Sequence, residues 1–163
     1  MNHAQTESIL IVDDIPDNRK LLRDFLKPEG YRILVAENGH NALKRAAQAK
    51  PSLILLDIMM PEMDGYEVCC RLKQNAVTAE IPVIFITAKD EPESLGNSFA
   101  VGGVDYITKP FSPAEVLARV KTHLQLNRLT KQLFDRNNDL EKQVAQLNAA
   151  NEQLRQEIGL PPA

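Results

Sequence analysis

The chain of 163 residues has two cysteines and no tryptophan. The cysteines, Cys69 and Cys70, are adjacent, a spacing that rarely meets disulfide geometry. A disulfide scaffold is therefore excluded, and reduced thiols in a cytoplasmic chain are expected. No stretch approaches 18 consecutive apolar residues, so no membrane span is expected. The opening residues, MNHAQTES, lack the apolar core of a secretory leader. An excess of one charge is missing too. The net charge of −3 provides no strong basic field for nucleic acid or an anionic membrane. No glycine-rich phosphate loop is present, which argues against nucleotide binding. The three histidines, His3, His40 and His123, have no metal-ligand spacing.

What is present is an ordinary soluble composition, 44% hydrophobic and 25% charged. The length suggests one domain with something added. Short apolar runs recur at Ile9–Val12, Ile33–Ala36, Leu53–Leu56, Val83–Ile86 and Val104–Ile107. Their lack of polar alternation predicts strands covered on both faces. Helix patterns lie between them, at Asp17–Leu26, Asn41–Ala49, Gly65–Lys73 and, more weakly, Ser94–Val101. A last helix is predicted to start at Ser112-Pro113, a capping residue followed by a first-turn proline. Alternating strands and helices imply an α/β domain with a parallel sheet. In such sheets the functional crevice lies at the carboxyl ends of the strands.

Polar residues collect at those ends. Asp13 and Asp14 follow the first run, Asp57 the third, Thr87 the fourth and Lys109 the fifth. Three crowded carboxylates need either a proton or a cation. All-oxygen ligands suit a hard ion such as Mg²⁺. A carboxylate can also act as a nucleophile and form a covalent phosphoryl intermediate. Lys109 and the Thr87 hydroxyl are natural partners for phosphoryl oxygens. Taken singly, each residue has an ordinary reading. Asp13 and Asp14 equally fit a turn or helix cap, Asp17 and Asn18 a helix start, Asp64-Gly65 a turn, and Thr87 a plain strand position. An aspartyl phosphohydrolase would want a second Asp two residues after Asp57, where Met59 stands.

The set Asp13-Asp14, DIMMPEMDG (57–65), ITA (86–88) and DYITKPF (105–111) resembles the receiver domain of bacterial two-component response regulators, over about residues 7–125. The resemblance implies a doubly wound, flavodoxin-like (βα)5 fold with strand order 2-1-3-4-5. It implies that Asp57 is the phosphoacceptor. Asp14, Asp57 and the Met59 backbone carbonyl would then hold Mg²⁺ directly, and Asp13 through water. Thr87 and Tyr106 would be the switch pair, Lys109 the lysine that pairs with the phosphoryl group, and Lys109-Pro110 a cis bond. Gly103 departs from the alanine usual before the last strand.

From His123 onward Gln, Asn, Leu and charged residues dominate. Leu126, Leu133, Leu140, Leu147 and Leu154 recur every seven residues. With these at position d, position a holds His123, Thr130, Asn137, Val144, Asn151 and Ile158. A seam sustained over about five heptads predicts a coiled coil. The polar a-position Asn137 and Asn151 favour two parallel strands in register. No proline or glycine interrupts residues 114–158, so one continuous helix is predicted to run from the domain into the coiled coil. Residues 112–125 lack the basic region of a DNA-binding zipper.

The expected organisation is a disordered N-terminus (1–7), a receiver domain (8–122), a coiled-coil dimerisation helix (123–158) and a tail (159–163). No output domain is recognisable after it, and a stand-alone regulator and a piece of a larger protein are both open. The expected function is a phosphorylation-dependent switch. Its partners would be a sensor histidine kinase or phosphotransfer protein and a second copy of the chain, with neither nucleic acid nor membrane. The alternative is a constitutive dimerisation scaffold with a receiver that does not switch.

Overall fold

The computed structural model describes residues 7–88 and 99–159. The elements in chain order are β1 (Ser8–Val12), α1 (Pro16–Leu26), β2 (Arg32–Ala36), α2 (Gly39–Ala49), β3 (Leu53–Asp57), α3 (Gly65–Gln74), β4 (Val83–Ala88), β5 (Asp105–Lys109) and α4 (Pro113–Glu157). The five strands form one parallel sheet in the order β2-β1-β3-β4-β5, as expected. The helix expected at 94–101, the N-terminal segment expected to be disordered and most of the short tail lie largely outside the described residues.

The uninterrupted apolar runs have a direct structural cause. Successive strand side chains point to opposite faces, and both faces of this sheet are covered. Leu10, Val12, Ile54, Leu56, Val83 and Phe85 pack with Ala42 and Ala46 of α2 and Val68, Cys69 and Leu72 of α3. Ile9, Ile11, Leu53, Leu55, Ile84, Ile86 and Ile107 pack with Leu22 and Leu26 of α1 and Val116, Val120 and Leu124 of α4. Cys69 is buried and Cys70 partly exposed. Burial pushes the Cys69 thiol up to about 11, so it behaves as an apolar core residue.

The helix starts follow local chemistry. Proline opens α1. The Asn38 side chain accepts from the Asn41 amide at 2.9 Å to cap α2. Asp64 accepts from the Glu67 amide at 2.8 Å to cap α3, so the Asp64-Gly65 pair is a cap rather than a free turn. Ser112 accepts from the Glu115 amide at 3.2 Å ahead of α4. After α1, a single 3₁₀ turn (Lys27–Glu29) ends at Gly30, whose φ of +89° is left-handed; glycine adopts that conformation without a side-chain clash.

Three strands run further than their apolar runs. β3 takes in Asp57, β4 takes in Thr87 and Ala88, and β5 is shifted to end on Lys109. The ladder accounts for this, because Asp57 pairs with Ile86, Thr87 with Thr108 and Ala88 with Lys109. Backbone pairing continues past the point where apolar side chains stop.

Packing divides the chain into two units, Met1–Leu124 and Gln125–Ala163. In the second, Leu133 and Leu147 are 71% and 64% exposed, and Asn137 donates to Glu141 at 3.2 Å. Among the described residues no helix is long and apolar enough to cross a membrane. Among the described residues the largest fully buried side chain is Phe85, on β4 inside the sheet. Phe85→Ala should cost roughly 3–5 kcal/mol of unfolding free energy through the cavity it leaves, measurable by urea denaturation.

Candidate functional site

The ends of β1, β3 and β5 bring Asp13, Asp14, Asp57 and Lys109 together. One carboxylate oxygen from each aspartate lies within 4.8 Å of the others. Asp13 and Asp57 are buried, and Asp14 is partly exposed. The Lys109 ammonium donates to Asp57 Oδ1 at 3.0 Å and to Asp13 Oδ2 at 3.3 Å. One cation thus bridges two buried anions. The peptide from Lys109 to Pro110 is cis, as the resemblance implied.

Asp13 has further donors. Its Oδ1 accepts from the Ile15 amide at 2.8 Å, and its Oδ2 from the Asn18 side chain at 3.0 Å. The Arg19 guanidinium donates to its main-chain carbonyl at 2.6 Å. Asn18 reads from sequence only as part of a helix start. It is third in α1, and no short-spacing rule announces that its side chain reaches back to a strand end.

Thr87 is buried, and its hydroxyl donates to the Ala88 carbonyl at 3.2 Å. Met59 follows β3 and is 63% exposed. Tyr106 is partly buried, with its ring edge-to-face with Phe99 at 6.5 Å and the Arg119 guanidinium 5.6 Å from its centroid. Arg119 also donates to Asp105 at 2.7 Å, and Asp105 contacts His123 at 2.9 Å. This group, which sequence inspection does not reveal, ties β5 to α4. It also removes His123 from the first a position of the predicted seam, because its ring is engaged with Asp105.

Gly65 is a second residue whose role is concealed. A Cβ there would collide with the Asp57 carbonyl and the Ile58 backbone. Only glycine lets α3 start this close to the strand end that carries Asp57.

Burial raises the Asp57 carboxyl from 3.8 to about 6, with the Lys109 hydrogen bond opposing and the Asp13 charge reinforcing. Burial pulls Lys109 the other way, but hydrogen bonding and charge from Asp57, then Asp13, outweigh it and hold the ammonium above its ordinary value. The donor set fits a hard divalent cation: three clustered carboxylates, no sulfur or imidazole, and one edge open to water at Asp14. Because the folded chain binds the Asp57 proton more tightly than the unfolded chain does, the contribution of Asp57 to stability falls as pH rises between about 4 and 6. Asp57→Asn removes that cost. Without divalent cation, the variant should melt several degrees above the parent at about pH 7.5, and the gain should vanish below about pH 4. Thermal melts in EDTA at the two pH values check this.

A profile for the response regulator receiver domain matches residues 9–121. A probable cyclic di-GMP phosphodiesterase of Vibrio cholerae is 47% identical over 137 residues, covering 84% of this chain and 31% of that protein. The transcriptional regulatory protein ResD of Bacillus subtilis is 45% identical over 125 residues, covering 77% of this chain and 51% of that protein. The chain therefore spans a third to a half of these curated relatives. Among solved structures, a putative response regulator from Chloroflexus aurantiacus superposes with a TM-score of 0.72 at 32% identity, covering 74% of this chain and 99% of that one. The chemotaxis protein CheY4 of Vibrio cholerae gives 0.67 at 28% identity, covering 73% and 98%. With the family profile spanning most of a chain whose fold and acidic strand ends agree with it, this protein belongs to the response regulator receiver domain family.

Proposed function

We propose that this chain is a phosphorylation-switched signalling module whose phosphoacceptor is Asp57. The reading is carried by one observation: a buried carboxylate at the carboxyl end of β3 sits beside two more carboxylates and 3.0 Å from the Lys109 ammonium. In the reaction, a carboxylate oxygen of Asp57 attacks the phosphorus of a phosphohistidine on a sensor kinase or phosphotransfer protein. The P–N bond breaks, its electron pair stays with the imidazole, which takes up a proton, and Asp57 becomes an acyl phosphate.

Asp14, Asp57 and the Met59 carbonyl would hold Mg²⁺ directly, with Asp13 holding it through water. When bound, the ion neutralises charge on the transferring group. Lys109, already against Asp57, is in reach of the new phosphoryl oxygens and offers a charge-assisted hydrogen bond. Thr87 and Tyr106 are the switch pair of this proposal. An inward move of Tyr106 would withdraw its ring from Arg119, and so alter the ties from β5 to α4. Because α4 extends to Glu157, a parallel homodimer through its heptad would receive that change. The proposed seam comprises Leu126, Leu133, Asn137, Leu140, Val144, Leu147, Asn151 and Leu154. It starts at Leu126 because His123 is engaged with Asp105. Exposure of its leucines supports a role for this face in pairing.

Incubation with Mg²⁺ and acetyl phosphate should add one phosphoryl mass to the parent and none to Asp57→Asn. No gain in the parent, or an equal gain in the variant, sinks the switch reading. Light scattering should give a dimer for the whole chain and a monomer for one shortened to end at Leu124. A whole-chain monomer refutes the pairing.

A further inference from the structure

The residues around Asp13 raise a question that the acceptor chemistry does not answer. Its buried carboxylate takes three donors: the Ile15 amide at 2.8 Å, the Asn18 side chain at 3.0 Å and Lys109 at 3.3 Å. Of these, only Lys109 is charged, and it is the longest contact. It is also shared with Asp57, at 3.0 Å. Lys109 is the partner that leaves Asp13 if it follows a phosphoryl group on Asp57. A carboxylate oriented by Lys109 alone would turn as Lys109 moved.

Ile15 and Asn18 meet a different requirement. Both are neutral donors, so they fix the direction of the carboxylate while leaving its negative charge available to a cation or its water. Asn18 does nothing comparable for its own helix. Asparagine is an indifferent helix former, and its amide reaches back five residues to the strand end instead of capping α1. The neighbouring Arg19 holds the Asp13 main-chain carbonyl, so the first turn of α1 grips both the backbone and the carboxylate of this residue.

We propose that Asn18 is a positioning residue for the cation site. Its side-chain amide keeps the Asp13 carboxylate in one orientation whether Lys109 lies on Asp13 and Asp57 or on a phosphoryl group. The assignment rests on the reading of Asp13, Asp14 and Asp57 as a Mg²⁺ site and goes beyond it by naming what holds the outer carboxylate still. Groups that orient the ligands of a metal typically change affinity by about 10–100-fold when removed. Asp13 would act through water, and Ile15 remains, so a loss of roughly 3–10-fold is expected for Asn18.

The test compares Asn18→Leu, which keeps the branched heavy-atom skeleton and removes the donor, with Asn18→Ala. Mg²⁺ binding is measured by calorimetry without a phosphodonor, and folding by thermal melts in EDTA. In whichever variant melts like the parent, the Mg²⁺ Kd should rise roughly 3–10-fold. The acetyl phosphate reaction should recover to near the parental rate at saturating Mg²⁺. The same substitution on an Asp13→Asn background should then cause no further loss, since the two residues act as a unit. A folded Asn18→Leu or Asn18→Ala with parental Mg²⁺ affinity, or losses that simply add on the Asp13→Asn background, overturns the role of Asn18 and leaves the Mg²⁺ site standing. A parent that binds no Mg²⁺ overturns both.

Discussion

The mutual repulsion of Asp13, Asp14 and Asp57 is the constraint around which the rest of this structure is arranged. Three carboxylates within 4.8 Å, two of them buried, would scatter in an unstructured chain. Here they are held by strand ends embedded in an apolar sheet, and the covered faces of that sheet do the holding. The same burial that fixes Asp57 raises its affinity for a proton, and a divalent cation bound there would compete for that position. Lys109 offsets part of the repulsion from the far side. A buried charge left without its partner is strongly destabilising, so the acidic ends and the lysine form one electrostatic unit, though β5 and β1 lie on opposite sides of β3.

A second network sits behind the first. Tyr106 is fixed by Phe99 and Arg119, Arg119 by Asp105, and Asp105 by both Arg119 and His123. Burial opposes ionisation of Asp105, yet its hydrogen bonds to His123, the Tyr106 amide and Arg119 hold its carboxyl below the usual range. Residues of the short strand β5 thus serve separate ends: Asp105 anchors α4, Tyr106 rests on the anchor, and Lys109 reaches the acidic cluster. A two-state element is the physical requirement for coupling between distant sites, and in the proposed switch this strand would be the place for one.

The strands were legible in the sequence because each is covered on both faces, so its apolar run is unbroken. Their ends were not, because the ladder continues through Asp57, Ala88 and Lys109, where no burial signal marks it. The principal polar positions were legible because each lies within two residues of the end of an apolar run. Asn18 and Arg19 were not, since their contacts to Asp13 cross a loop at a spacing with no periodic meaning. The heptad leucines stood out by simple repetition. The diversion of His123 from that repeat did not, because its partner Asp105 lies 18 residues earlier. Gly65 was visible as half of an Asp-Gly pair, but its reason, the nearness of the Asp57 backbone, is purely three-dimensional.

That nearness makes the surroundings of Asp57 mechanically lopsided. On the α3 side, the Gly65 amide donates to the Ile58 carbonyl at 2.9 Å, and the helix start abuts the Asp57 backbone with no side chain to act as a cushion. On the other side stand a threonine hydroxyl, a lysine shared between two anions and an aromatic ring at the sheet edge, all of them side chains with rotatable bonds. A strain introduced at Asp57 therefore has one compliant direction, toward β4 and β5.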